Sequence, residues 1–167
     1  ARQFIDYYQD MASRLLDKYV KLQERGLDTE KTTELKEQTG KRPFVITRAC
    51  YAGSQKYTTV WTGDNQSLWS HLQMAVPQLC NLGLSGLAFA GTDVGGFGAD
   101  CTAELLCRWV QVGAFSPLFR NHSSNGSIYQ EPWQFGEKTV NIYRKFVELR
   151  YRLLPYLYDL FAECEKT

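Results

Sequence analysis

The sequence lacks both an excess of charge and a long hydrophobic run. Its 167 residues carry 19 Lys and Arg against 18 Asp and Glu, which gives a net charge of +1. The chain therefore has no excess of positive charge of the kind that binds nucleic acid or an anionic membrane surface. The longest apolar run is far shorter than the ~20 residues that a membrane span needs. We therefore expect no nucleic-acid partner and no membrane partner.

The five cysteines lack the spacing of a disulfide framework. Cys101 and Cys107 are six residues apart, and no histidine lies near them to complete a zinc set. Reduced thiols are the usual state of such cysteines inside cells. We therefore expect no bound metal and a cytoplasmic location.

The glycine-rich stretch "GTDVGGFG" at residues 91–98 lacks the signatures of a phosphate-binding loop. It has neither the Lys-Ser/Thr of the P-loop nor the G-x-G-x-x-G of the dinucleotide fold. We therefore expect no cofactor.

The chain also has no initiator Met and no visible signal peptide. A length of 167 residues fits one domain by default. We expect the chain to be a piece of a longer protein, with an N-terminal helical segment, 1–42, followed by a region of alternating strands and helices, 43–167.

What the sequence does contain is an alternation of helical and strand patterns. Apolar residues at steps of three and four predict helices over 3–25, 28–39, 67–82, 102–114 and 137–165. Short apolar and β-branched runs predict strands over 43–48, 58–62, 86–91 and 115–119. Gly83 is expected to end the third helix, and Pro77 and Pro155 to bend their helices. This order predicts four parallel βα units with crossover helices, either a small open sheet or half of an eight-stranded barrel.

Charged and hydrogen-bonding residues follow each predicted strand: Arg48, Asp64, Asp93, Arg120, Asn121 and His122. Taken singly, each has an ordinary explanation, since Asp64 suits a turn before a helix and a loop histidine is usually solvated. Taken together they are hard to explain as turn chemistry. The carboxyl ends of parallel strands meet at one edge, where βα folds build their sites, so the set predicts a functional site.

Five ordered motifs resemble glycoside hydrolase family 31, which contains retaining α-glucosidases and α-xylosidases. They are "RPFVITRACYAGSQKYTTVWTGDN", "GTDVGGF", "FSPLFRNHS", "QEPW" and "LRYRLLPYLYDLF". The resemblance covers roughly residues 43–163. It implies an eight-stranded βα (TIM) barrel of which the four strands here are the fifth to eighth, so that residues 43–167 are half of a catalytic barrel domain.

The resemblance also implies roles for individual residues. Asp64 matches the acid/base carboxylate of the W-x-G-D-N motif, and Trp61 matches the pocket tryptophan three residues earlier. The matches implied to bind the α-glucoside or oligosaccharide substrate are Arg48, Trp61, Asp93, Phe97, Arg120 and His122.

One motif of the family is missing from the 167 residues. The nucleophile of the family is an aspartate in a W-x-D-M-N-E motif, whereas "YQDMAS" has Asp10 in a helical pattern without the Trp or the Asn-Glu. Retaining hydrolysis needs two carboxyl groups ~5–5.5 Å apart. The isolated chain is therefore expected to be inactive and to need the missing half-barrel or self-association.

Three interpretations follow from the sequence. The first is a segment of an α-glucosidase-like hydrolase that cleaves terminal α-linked glucose and carries the acid/base residue but not the nucleophile. The second is an α-xylosidase or transglycosylase of the same family. The third is a catalytically inert, excised or engineered half-barrel scaffold.

Overall fold

A computed structural model describes residues 44–164. The predicted helices 3–25 and 28–39, and with them the N-terminal segment 1–42, lie outside the described residues. The described elements are, in chain order, β1 (Ile46–Thr47), a 3-10 turn (Ser54–Lys56), β2 (Thr59–Trp61), α1 (Trp69–Leu84), β3 (Ala90–Gly91), β4 (Asp93–Val94), α2 (Ala103–Phe115), β5 (Arg120–Asn121), a second 3-10 turn (Pro132–Phe135) and α3 (Glu137–Cys164).

All described strand pairs are parallel, as the alternating pattern predicts. β2 lies between β1 and β3, with Val60 opposite Ala90. β4 pairs with β5, and Asp93 stands opposite Arg120. The Leu118 amide donates to the Ala90 carbonyl at 3.0 Å, which joins the segment before β5 to β3. The described chain thus forms parallel strands in α/β units.

All four predicted strands have different limits in the structure: the first two are only shorter than predicted, and the last two differ more. The third, predicted over 86–91, is only Ala90–Gly91. A further strand, β4, follows it, so Asp93 lies on a strand and not in the glycine-rich loop. The fourth, predicted over 115–119, is instead Arg120–Asn121, because Phe115 still belongs to α2. Pro117 explains the shift, since a proline disfavours helical backbone at the preceding residue. Ser116 accordingly has extended backbone and ends the helix.

The crossover between β1 and β2 is also shorter than predicted. It contains only the 3-10 turn Ser54–Lys56, so the prediction of a crossover helix at this position is wrong. Gly53 enters the turn with φ of 105°, a backbone conformation that glycine adopts without strain. The first parallel pair is therefore joined by a loop that packs without a full helix.

Helix α1 does not end at Gly83. The helix continues to Leu84, and the positive φ of 85° falls on Gly86, which is the residue that leaves the helical path. Pro77 and Pro155 both lie inside their helices, which continue on either side.

The core forms where α2 packs against β4. Val94, Leu105, Leu106, Trp109 and Val110 are all buried within one cluster. The Trp109 indole Nε1–H donates to Thr92 Oγ1 at 3.0 Å, so the large aromatic side chain is buried with its polar atom satisfied. Helix α2 is thereby fixed against the segment that carries Asp93.

The connection between α2 and β5 is held by a buried arginine. Arg150 of α3 donates to the carbonyls of Ala114 at 3.3 Å, Ser116 at 2.5 Å and Pro117 at 2.7 Å. These bonds satisfy carbonyls at the end of α2, which have no partner within the helix. They fix the path that leads to Arg120.

Residues Ile46–Leu157 form one compact unit. The end of α3, Tyr158–Cys164, belongs to a second unit. No helix within residues 44–164 is long and apolar enough to cross a membrane.

Candidate active site

Asp64 follows β2 in a tight turn and forms an ion pair with Arg48. Asp64 Oδ2 accepts from Arg48 Nη1 at 3.0 Å. Gly63 has φ of 90°, and a Cβ there would lie 3.1 Å from Arg48 Cδ, so the turn packs directly on the arginine. Both side chains are more than half exposed, and such a pair contributes at most about 1 kcal/mol to stability. Asp64 is therefore open to an incoming ligand.

Asp93 and Arg120 form a second, buried ion pair on the neighbouring strands. Arg120 Nε and Nη2 approach the same oxygen, Asp93 Oδ1, at 2.9 and 2.8 Å. Asp93 is fully buried, and its Oδ2 has no hydrogen-bond partner among the described residues. Burial raises the pKa of Asp93, while the charge and hydrogen bond of Arg120 act in the opposite direction.

Trp61 packs against the arginine of the second ion pair. It lies three residues before Asp64, and the Arg120 guanidinium carbon is 5.1 Å from the centroid of its ring, within the range of a cation–π contact. The buried Trp61 Nε1–H has no acceptor among the described residues. The indole ring therefore helps to position Arg120.

Phe97 and His122 form an aromatic pair on the loops that follow β4 and β5. Their ring centroids are 5.2 Å apart at an interplanar angle of 29°. The Asn65 carbonyl accepts from the amides of Phe97 at 2.7 Å and Gly98 at 2.9 Å. This ties the loop of Asp64 to the loop of Phe97.

The predicted site residues thus fall into three contacting groups: the Arg48–Asp64 pair, the Trp61–Arg120–Asp93 cluster and the Phe97–His122 stack. The groups lie within electrostatic reach of one another, because the charges of Asp64 and His122 both act on the pKa of Asp93. Asn121 is separate from these groups, since its side chain donates to the Gln130 carbonyl at 2.8 Å.

Two buried amide residues at the site escape prediction from the sequence. Asn65 and Gln130 stand in quoted motifs, next to Asp64 and in "QEPW", but composition and periodicity give neither a role. The Gln130 side chain bonds to backbone carbonyls of loops distant in sequence. Asn65 meets the distant Phe97 loop through its backbone carbonyl, while its side-chain Oδ1 accepts from Thr62 Oγ1 at 3.2 Å. No local pattern predicts the long-range contacts. The only available signal is their place inside the motifs.

No group of three or more His, Cys, Asp and Glu within residues 44–164 is placed to hold a metal ion. Cys50, Cys80, Cys101 and Cys107 are free thiols. Burial raises the pKa of the Cys101 thiol to about 11, which leaves it protonated and unreactive at neutral pH.

Parallel strands with charged side chains at their carboxyl ends are characteristic of βα-barrel proteins. Residues 7–160 match the glycosyl hydrolases family 31 TIM-barrel domain. The chain belongs to this family.

Individual relatives agree with this assignment. The chain is 59% identical over 128 residues to alpha-glucosidase 2 of Bacillus thermoamyloliquefaciens, and the match covers 77% of the chain and 16% of that protein. It is 48% identical over 134 residues to a probable glucan 1,3-alpha-glucosidase of Oryza sativa subsp. japonica, covering 80% and 15%. The chain thus spans about a sixth of the length of these relatives.

Solved structures show the same likeness. A family 31 alpha-glucosidase from Bacteroides thetaiotaomicron superposes with a TM-score of 0.73 at 44% identity, covering 78% of this chain and 22% of that one. A glucosidase II alpha subunit bound to alpha3-Glc2 gives a TM-score of 0.71 at 43% identity, covering 73% and 13%.

Proposed function

We propose that this chain supplies the acid/base half of the active site of a retaining α-glucosidase that cleaves terminal α-linked glucose. The observation that carries the proposal is the placement of Asp64. It stands at the carboxyl end of β2, open to a ligand and within electrostatic reach of Asp93. The α-glucosidases among the relatives support the choice of substrate.

In the proposed reaction Asp64 donates a proton to the glycosidic oxygen as the bond to the anomeric carbon breaks. A second carboxylate forms a bond to that carbon and gives a covalent glycosyl-enzyme. Water then attacks the same carbon, Asp64 accepts its proton, and the second carboxylate leaves. We assign the second carboxylate to a part of the protein outside these 167 residues, because the W-x-D-M-N-E motif is absent from them.

The other site residues are assigned to substrate binding. Arg48 would hold Asp64 and donate to sugar hydroxyls, and His122, braced by the ring of Phe97, would bond to another hydroxyl. Trp61, which is half-buried, would offer the exposed part of its ring as an apolar surface. The buried Asp93 would orient Arg120 against that ring.

We further propose that these parallel strands correspond to strands five to eight of the barrel. β1 has a single strand neighbour among the described residues, β2. An open edge presents unpaired N–H and C=O groups, so it favours pairing with another strand. The partner would be the first half of the barrel, or a second copy of this chain if the chain is isolated.

The alternatives differ in substrate or in activity. An α-xylosidase or a transglycosylase would use the same acid/base residue. That substrates vary among similar proteins is illustrated by a dextranase of Flavobacterium johnsoniae at 39% identity. An inert half-barrel scaffold would keep the contacts described above without turnover.

The test is to measure hydrolysis by the full-length protein with the substitution Asp64→Asn. Loss of general acid–base catalysis is expected to slow hydrolysis of an α-glucose disaccharide by about 10²–10⁴-fold. An aryl α-glucoside with a highly acidic phenol needs little protonation, so its cleavage to the glycosyl-enzyme should fall much less. Asp159→Asn, which removes an exposed carboxylate on α3, is the matched control. The quantity to compare is kcat/KM, which reports the steps up to the glycosyl-enzyme. Equal losses of kcat/KM on both substrates would contradict an acid/base role for Asp64.

A further inference from the structure

Phe97 and His122 lie on different loops, and the stacking of their rings depends on how those loops are joined. The direct backbone link is the Ser124 amide, which donates to the Phe97 carbonyl at 2.8 Å. His122 itself is exposed and has no hydrogen bond from its ring to another described residue. The backbone link thus lies two residues beyond His122, so a contact that holds His122 itself relative to the Phe97 loop would have to come from another residue.

Gln130 lies between the two loops and bonds to both. Only 3% of it is exposed. Its side-chain Nε2 donates to the Gly96 carbonyl at 2.9 Å and to the His122 carbonyl at 3.4 Å. One amide group thus contacts the residue before Phe97 and also His122.

The orientation of the Gln130 amide follows from its neighbours. Both groups that face Nε2 are carbonyl oxygens, which accept and never donate, so the NH₂ group must point toward them. The Oε1 atom has no hydrogen-bond partner among the described residues. An unpaired buried acceptor costs free energy of folding, and the two bonds donated by Nε2 oppose that cost.

The loop before Phe97 is shaped to receive this amide. Gly95 has φ of 93°, and a Cβ placed on it would overlap Gln130 Oε1. The following residue, Gly96, has φ of 89°, and this conformation turns its carbonyl toward Gln130 Nε2. Two consecutive glycines thus bring the backbone close to one buried side chain.

We propose that Gln130 is a positioning residue, which links the Phe97 loop to the His122 loop and thereby sets the stacking of His122 on Phe97. Gln130 does not touch the substrate in this arrangement. Its importance for hydrolysis depends on the α-glucosidase function proposed above, but the structural link is independent of it.

The first test observes the His122 ring directly. The chain has two histidines, so labelling with ¹³C-histidine gives signals from His122 and from His71, which is the internal reference through its own bond from the Gln66 amide. Gln130→Met keeps the length of the side chain but removes the donors, and Gln130→Glu replaces the NH₂ group by oxygen. Both are expected to remove the ring-current shift that Phe97 imposes on His122 and to leave His71 unchanged.

The matched control is Gln134→Met, an exposed glutamine four residues further along. It is expected to change neither histidine. Unchanged His122 signals in a folded Gln130 variant would overturn the proposal. Displacement of both histidines in Gln130→Met and in Gln130→Glu would also overturn it, because Gln130 would then support the fold in general.

The second test measures hydrolysis by the protein encoded in full. Gln130→Met should lower kcat/KM for an α-glucoside about tenfold, since misplacing a substrate-binding group costs activity without removing the chemistry. A displaced His122 with unchanged kcat/KM would overturn the positioning role. Absence of hydrolysis in the unmodified protein would instead overturn the proposed function, and the histidine spectra would still decide on Gln130.

Discussion

Asp93 illustrates how a single buried residue can make stability depend on pH. Its pKa is raised by burial in the folded protein, against the attraction of Arg120. Between the ordinary pKa of 3.8 and the raised folded value, the folded state keeps a proton that the unfolded state has released. The contribution of Asp93 to stability is therefore complete below the unfolded pKa and is lost as pH rises through the folded pKa.

This predicts a pH-dependent difference between the unmodified chain and Asp93→Asn. Loss of the carboxylate should destabilise the fold by less than the roughly 3–5 kcal/mol of a fully buried pair, because Arg120 is 27% exposed. The stability advantage of the unmodified chain should shrink as pH rises from about 4. Urea unfolding across this range measures it, with Asp159→Asn as control for the lost charge. An advantage that grows with pH would contradict the sign.

At the scale of elements, two helical glycines differ in their surroundings. Around Gly83 in α1, no atom lies within 4 Å of the place that an alanine Cβ would occupy, so a methyl group can be added freely. In contrast, a Cβ on Gly113 of α2 would lie 2.5 Å from Val94 Cγ2 and 2.8 Å from Phe119 Cδ2. Gly113 is therefore required for the close approach of α2 to β4.

We expect opposite effects from the same substitution at these two glycines. Gly83→Ala should stabilise the fold by about 0.5–1 kcal/mol, because alanine has the higher helix propensity. Gly113→Ala gains the same propensity but overpacks the core, which typically costs about 1–3 kcal/mol. Thermal or urea unfolding of the two variants provides the comparison. Stabilisation by Gly113→Ala would mean that α2 can shift away from β4 at little cost.

The sequence predicts the described helices, because they depend on local periodicity. It predicts the parallel direction of the strands, because helical and strand patterns alternate along the chain. It does not predict where the strands begin and end. Pro117 delays the last strand to Arg120, and Thr92 separates Asp93 from the preceding strand. The general expectation of a crossover helix between successive strands fails between β1 and β2, where the sequence has no helical pattern and a loop around Gly53 makes the connection.

For the site, the sequence predicts which residues stand at the strand ends but not how they pair. That Arg48 bonds to Asp64 and Arg120 to Asp93 depends on the strand register. Gln130 escapes prediction, because its partners are backbone carbonyls on two loops.

At the scale of the whole molecule, we expect the isolated 167-residue chain to self-associate and to lack activity. β1 has an open edge among the described residues, and dimerisation is the simplest way to cover it. Sedimentation should show more than a monomer. Without the second carboxylate the covalent route is lost, so a chromogenic α-glucoside should give no release above background.

The contrary outcome would be informative. Turnover by the isolated chain that Asp64→Asn abolishes would mean that another carboxylate acts as nucleophile, with Asp93 as the first candidate. A purely monomeric chain would show that the edge of β1 is covered from within.

The position of the buried ion pair also bears on how the chain folds. Asp93 and Arg120 are directly opposite each other on β4 and β5. A slip of one residue would turn the neighbouring side chains to the wrong face and place Phe119 or Asn121 opposite a fully buried carboxylate. An uncompensated buried charge costs several kcal/mol, so the shifted register is less stable than the native one. The Asp93–Arg120 pair therefore helps to specify the register in which β4 and β5 pair.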